Sequence, residues 1–322
     1  MKTAIIYHYF EKDASYRENF IFFLNCGLCN DSEYFIYIAG EHSVALPKRD
    51  NVNYYSIENR NRDFSAISAF ATNPKSKYFD TYVFINSSAR GPFTPTFYDQ
   101  PWHYAFTSRL TDEIALVGSS VHLGSDKTDL INDCISHSKQ SMHAQTYAFA
   151  LSRKSFLLLK SMDFFTINKI KSKEALIKHY EVRMSEIFLQ NGFSIYSLLP
   201  TQQGMHIDSM QTHFPSTTLK GDPIFKSAFY GRSPSPFETI FVKTNRNVIS
   251  LTDLASYTFT ALAKVWLSTA LNQQAKDLLE MSYKIAFFES KKFVISVNEL
   301  TRVLTEIKKQ NPSLANQLKK IL

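Results

Sequence analysis

The order of apolar and polar segments predicts an α/β protein: a Rossmann-type, mainly parallel sheet with helices on both faces, followed by a helical C-terminal extension. Three observations carry the sheet and the extension. Short β-branched and aromatic runs alternate with amphipathic stretches over residues 1–214, as βαβ units require. The strongest helical stretch, residues 172–191, stops at Gly192, and an apolar run over residues 193–198 follows at once, as when a helix hands the chain back to a sheet. Beyond residue 251 strand-like runs disappear and apolar residues fall at helical spacing.

Residues 3–9 (TAIIYHY) read as a first buried strand ending in Tyr7, His8 and Tyr9. A helix over 16–28 follows, with Phe20, Phe23, Leu24 and Gly27 at helical spacing. Strands are expected over 34–38 and 53–57, with a loop over 40–47 between them. In NRNRDF, Asp63 is placed to cap a short helix whose apolar face is Phe64, Ile67 and Ala71. Two readings stand for this corner: a phosphate or nucleotide site using its arginines, or a solvated cap. Residues 82–85 (YVFI) form a buried strand that breaks without a spacer into Asn86, Ser87, Ser88, Arg90, Gly91 and Pro92. Ligands of open α/β sheets sit outside the carboxyl ends of the strands; an ordinary Gly-Pro turn is the alternative reading.

A loop holding Trp102 and His103 leads to a strand over 114–118 and a polar surface loop over 119–139. His143-Ala144-Gln145 precedes a strand over 146–151, and Ser152 caps the next helix. Tyr180-Glu181 lies in the middle of the long helix. Residues 215–236, rich in Ser, Gly and Pro, read as a linker, and FETIFVK (237–243) as a short strand followed by Asn245 and Arg246. Leu254, Tyr257, Leu262, Trp266 and Ala270 suit one C-terminal helix, residues 272–288 a second, and Leu300, Val303, Leu304 and Ile307 a third. The expected division is an α/β domain over 1–214, a linker and short strand completing the ligand-side edge over 215–250, and a helical region over 251–322.

Of 322 residues, 44% are hydrophobic, with 27 Phe and 17 Tyr, so a large aromatic core is available. The net charge of +7 comes without any run of five or six like charges, which excludes a dedicated nucleic-acid arm. That charge suits a phosphate-bearing ligand and an anionic membrane surface equally. Residues 251–322 hold ten basic and six acidic residues, so docking on a membrane surface, a partner or a second subunit is their expected role. Cys26 and Cys29 have C-x-x-C spacing, but no second pair completes a zinc site; buried thiols and a redox motif are the two readings. No apolar run approaches the ~20 residues of a membrane span. The expected location is cytoplasmic, with peripheral contact at the inner membrane surface.

Several pieces, in order, carry a resemblance: IIYHYF, ENFIFFLNCGL, NRNRDFSA, FDTYVFINSSARGPF, LTDEIALVGSSVHLG, HAQTYAFAL, HYEVRMSEIFLQNGFSIYSLL and PFETIFVKTNR. Together they resemble glycosyltransferases of the GT-A fold, more narrowly a group related to rhamnan-synthesis proteins. The resemblance covers residues 1–247. It implies a hexosyl- or deoxyhexosyltransferase that uses a nucleotide-sugar donor and a glycan or lipid-linked acceptor in cell-surface polysaccharide synthesis. A non-catalytic nucleotide- or glycan-binding protein on the same fold is the alternative. The resemblance also implies that residues 82–85 end where such enzymes carry an Asp-x-Asp motif for Mg²⁺ or Mn²⁺. Here that position reads Asn86-Ser87-Ser88, without a carboxylate.

Glycosyl transfer needs a base for the acceptor hydroxyl and stabilisation of the departing diphosphate. Glu181 is the expected base. Tyr7, His8, Asn59, Arg62, Asp63, Asn86, Ser87, Ser88 and Arg90 are expected around the donor. Trp102, His143, Gln145, Lys243 and Arg246 are expected around the acceptor or transferred sugar; Arg90, Lys243 and Arg246 are also the cations expected to meet the diphosphate. His206 and Asp208 are the remaining candidates for a metal bridged by the diphosphate.

Overall fold

The computed structural model describes residues 1–123, 142–166, 170, 172–200, 221–288 and the isolated positions 302, 305 and 309. The strands are β1 (Thr3–Tyr9), β2 (Ser32–Ala39), β3 (Val52–Ile57), β4 (Thr81–Asn86), β5 (Ala89–Arg90), β6 (Ile114–Gly118), β7 (Val121–His122), β8 (His143–Ala144), β9 (Ala148–Ser152), β10 (Ser194–Ser197) and β11 (Val242–Lys243). Seven of them form one sheet in the order β10-β6-β9-β4-β1-β2-β3. β9 runs antiparallel to both its neighbours, β4 and β6, and the remaining pairs are parallel. The expected mainly parallel α/β sheet is what the chain forms.

β1 is buried along its whole length, which is why it reads as a continuous apolar run and not as an alternation. Its odd residues Ile5, Tyr7 and Tyr9 enter one core, and Ala4 and Ile6 enter the other. The first core is covered by helix α1 (Ala14–Cys26), whose Phe20, Phe22 and Phe23 are fully buried. Each such ring contributes about 1.5–3 kcal/mol by leaving water. The second core is covered by α2 (Phe64–Thr72), α4 (Arg153–Ser161) and α6 (Arg183–Gln190), with a short α3 (Tyr104–Thr107) on the α1 side.

The long helix expected over 172–191 is broken into α5 (Lys173–Leu176), a π-helical turn (Ile177–Val182) and α6. The strand expected over 237–243 is corrected more strongly. Ser235 and Glu238 form a reciprocal capping box with Pro236 at the first helical position, so the segment begins as a helical turn, α7 (Pro236–Thr239). Only Val242–Lys243 pairs as a strand, antiparallel to β5. Within the expected surface loop, Ser119, Ser120 and Val121 are buried.

Two long helices end the described chain, α8 (Leu251–Ser268) and α9 (Gln273–Phe288). Their Leu254, Leu262 and Leu278, with Leu271 of the connection between them, lie in the same core as Phe20 and Phe23. No helix among the described residues is long and apolar enough to cross a membrane. Leu300, Val303, Leu304 and Ile307 of the third expected C-terminal helix, and Cys134, His206 and Asp208, lie outside the described residues.

Candidate active site

A cleft of about 600 Å³ opens at the carboxyl ends of β1 and β4, the ligand-side edge of this sheet class. In register, His8 of β1 lies beside Asn86 of β4. His8 is 6% exposed, and among the described residues its Nε2 has no hydrogen-bond partner. Burial pushes its pKa down to about 4, so the ring is neutral at physiological pH.

Asp63 stands at the start of α2, but its side chain does not cap the helix. Arg62, just before it, takes a left-handed backbone (φ 53°), uncommon for a residue with a Cβ. Asp63 then turns inward, where its Oδ2 accepts from Asn86 Nδ2 at 3.0 Å and from Thr146 Oγ1 at 3.3 Å. The expected cap is thus corrected: two donors inside the fold hold the carboxylate instead. Glu181 approaches the same threonine from the other side, its Oε1 accepting from the Thr146 backbone N–H at 3.0 Å. The π turn explains the placement. Tyr180 packs on Phe64 and Phe164 in the core, and Glu181, next in the turn, lines the cleft. Such turns recur at functional sites. Burial, and next the charge of Glu181, push the Asp63 pKa up to about 6.

The same cleft also carries cations. Lys243 Nζ lies 5.5 Å over the Tyr147 ring and has no ion-pair partner among the described residues. Burial, then the neighbouring Arg246, bring its pKa down to about 8 despite the opposing pull of Glu181, Asp63 and Asp222. Arg246 bonds Asp222 Oδ2 through Nη1 at 2.5 Å and stacks over Phe225. Asn59, Arg62, Ser87 and Ser88 complete the set of expected residues that line the cleft with His8, Asp63, Asn86, Glu181, Lys243 and Arg246.

Five expected residues are elsewhere. Tyr7 is buried between Phe20 and Phe23, in the α1-side core. Arg90 is 4% exposed, and Glu18, Asn19 and Thr258 occupy its guanidinium at 2.7, 2.9 and 3.1 Å. It holds α1 to α8, and its burial there keeps it out of the cleft lining. Trp102 has no open face for a sugar. Its ring is enclosed by Phe23, Phe106 and Phe241, and its Nε1 donates to Gly27 O. His143 is buried in a stack on His122 and does not line the cleft. Gln145 is buried with both amide ends engaged, accepting from Ser120 Oγ and donating to Asp222.

The donor set at the expected metal position does not suit Mg²⁺ or Mn²⁺. Asn86 Oδ1 already accepts from Ser88 N and Oγ at 3.1 and 2.5 Å, and Ser87 and Ser88 offer only neutral hydroxyls. Among the described residues no three His, Cys, Asp or Glu side chains group as metal ligands. Thr146, Tyr147 and Asp222 are site residues that the sequence reading missed. Thr146 and Tyr147 immediately follow the singled-out Gln145, whereas Asp222 sits in a segment that reads only as linker.

No family model and no curated protein matches the chain. Among solved structures it is similar to a mannosyltransferase from Pyrobaculum calidifontis, in complex with GDP-Man and Mn²⁺, at 8% identity and a TM-score of 0.36, over 99% of this chain and 85% of that one. It is also similar to the galactosyltransferase LgtC, in complex with donor and acceptor sugar analogues, at 10% identity and a TM-score of 0.35, over 69% and 85% of the two chains.

Proposed function

We propose that the protein is a glycosyltransferase that moves a hexosyl or deoxyhexosyl group from a nucleotide-sugar donor to a saccharide or lipid-linked acceptor. The observation that carries this reading is one cleft lined by a carboxylate, Glu181, together with two cations, Lys243 and Arg246. In this reading Glu181 takes the acceptor proton as the acceptor oxygen bonds to the anomeric carbon. The bond from that carbon to the diphosphate oxygen breaks, and its electron pair leaves as negative charge facing Lys243, Arg246 and Arg62. Asp63, Asn59 and His8 hold donor hydroxyl or base groups at the β1 edge. Of the expected division, the first part supplies Glu181 and the second supplies Lys243 and Arg246, while α8 and α9 buttress α1. The resemblance to rhamnan-synthesis-related transferases supports a role in cell-surface polysaccharide synthesis.

A panel of nucleotide sugars, screened by thermal shift and then for transfer, tests the reading. A donor at 100 times its dissociation constant stabilises the fold by about 2.7 kcal/mol. A donor that stabilises the protein but is neither transferred nor hydrolysed would leave a binding protein in place of an enzyme.

A further inference from the structure

Lys243 and Arg246 are joined behind the cleft wall by a buried arc of hydrogen bonds. Asp222, 7% exposed, spends both carboxylate oxygens there. Its Oδ2 accepts from Arg246 Nη1 at 2.5 Å; its Oδ1 accepts from Gln145 Nε2 at 3.0 Å and from the Ile224 backbone N–H at 2.9 Å. Gln145 accepts in turn from Ser120 Oγ at 2.6 Å, which lies 3.1 Å from Tyr147 Oη. The Tyr147 ring lies under Lys243 Nζ. One edge of the Arg246 guanidinium is therefore fixed by Asp222 and one face by Phe225, while the side chain still lines the cleft. Two like charges held close together on one wall repel each other until an anion comes between them.

We propose that Asp222 is the positioning residue of a preformed anion site made by Lys243 and Arg246, and that this site takes the diphosphate of the donor. The proposal rests on the transferase reading for the identity of the ligand, though not for the site itself. Asp222 touches no ligand. It holds the guanidinium fork so that the remaining N–H groups face the cleft in a fixed direction, which favours a bidentate oxyanion.

Titration calorimetry with inorganic pyrophosphate alone, with unfolding of each variant followed in parallel, tests this. Arg246→Ala is expected to weaken pyrophosphate by roughly tenfold or more, as for a lost charge-assisted bond. Asp222→Asn, which keeps the shape and the acceptor for Gln145, is expected to weaken it several-fold. Asp222→Asn is expected to add nothing once Arg246 is alanine, because the aspartate acts through the arginine. Should Asp222→Asn fail to fold, Gln145→Met removes one anchor of Asp222 without changing charge and should give a smaller loss in the same direction. Additive losses in the double variant, unchanged affinity in Asp222→Asn, or no pyrophosphate binding by the wild type overturns the proposal. Inorganic phosphate bound as tightly as pyrophosphate overturns the diphosphate assignment. If the cycle holds and no donor is transferred, the anion site stands and the transferase reading falls; if a donor is transferred and the cycle fails, the reverse follows.

Discussion

β5 and β11 form a two-stranded ribbon whose two faces carry opposite kinds of cation. Arg90 lies directly opposite Val242 and faces the core shared by α1 and α8, where Glu18, Asn19 and Thr258 engage it. Lys243, one residue beyond Val242 and so on the other face of the pleat, looks into the cleft with no ion-pair partner among the described residues. Both are basic residues on one two-stranded ribbon, Arg90 buried and Lys243 half-buried. A buried cation with its partners in place ties elements together. One without them raises the energy of the empty fold and lowers that of the complex with an anion. Partners, more than exposure, separate the structural charge from the functional one.

The largest expected effect lies on the cleft face. Glu181→Gln should cut turnover by about 10²–10⁴-fold, the range for a lost general base, with donor affinity kept. Unchanged turnover under single-turnover conditions would remove Glu181 from the chemistry. The next effect separates the two faces directly. Arg90→Ala should destabilise the fold by about 3 kcal/mol, since it leaves Glu18 and Asn19 without their partner, and should spare catalysis in the molecules that remain folded. Lys243→Ala should leave stability equal or raised and weaken anion binding about tenfold. Denaturant midpoints beside dissociation constants read both, and a reversed pattern would break the comparison.

A smaller effect depends on pH. The folded pKa of Lys243 is lowered from 10.5 to about 8, so between those values the unfolded chain binds more protons and stability rises with pH. The stability advantage of Lys243→Ala should be full below about pH 8 and vanish towards pH 10.5. Asp63 has the opposite sign: its folded pKa is raised from 3.8 to about 6. Its native state holds the extra proton, and stability falls as pH rises through that window. Matched thermal melts of the wild type and Lys243→Ala across pH 7 to 10.5 test the lysine arm. The smallest expected effect is none. With Asn86, Ser87 and Ser88 in the usual carboxylate position, transfer should persist in excess EDTA. Activity abolished by the chelator and restored by Mn²⁺ would show that the cleft cations do not carry the diphosphate alone.

Much of the sheet is legible in the sequence because strands buried on both faces must be largely apolar, as TAIIYHY and YVFI are. So is the floor of the cleft, since the abrupt change from Ile85 to Asn86-Ser87-Ser88 marks where the strand leaves the core. Less legible is the antiparallel insertion of β9, whose apolar run looks the same in either direction. The break at Ser235-Pro236 was open to view as a capping box, but the apolar residues after it favoured a strand.

What the sequence determined by itself is set by local chemistry: which runs are buried, a helix start such as the one capped by Ser152, and which polar residues sit at the carboxyl ends of strands. Tertiary structure alone decided which charges are spent and which are left available. Arg90 finds Glu18 and Thr258, 72 and 168 residues away, and Arg246 finds Asp222 in a stretch that reads only as linker. Trp102 is likewise taken up by Gly27, 75 residues earlier. Whether a buried polar group is satisfied depends on partners brought in from distant parts of the chain, and no local pattern encodes them.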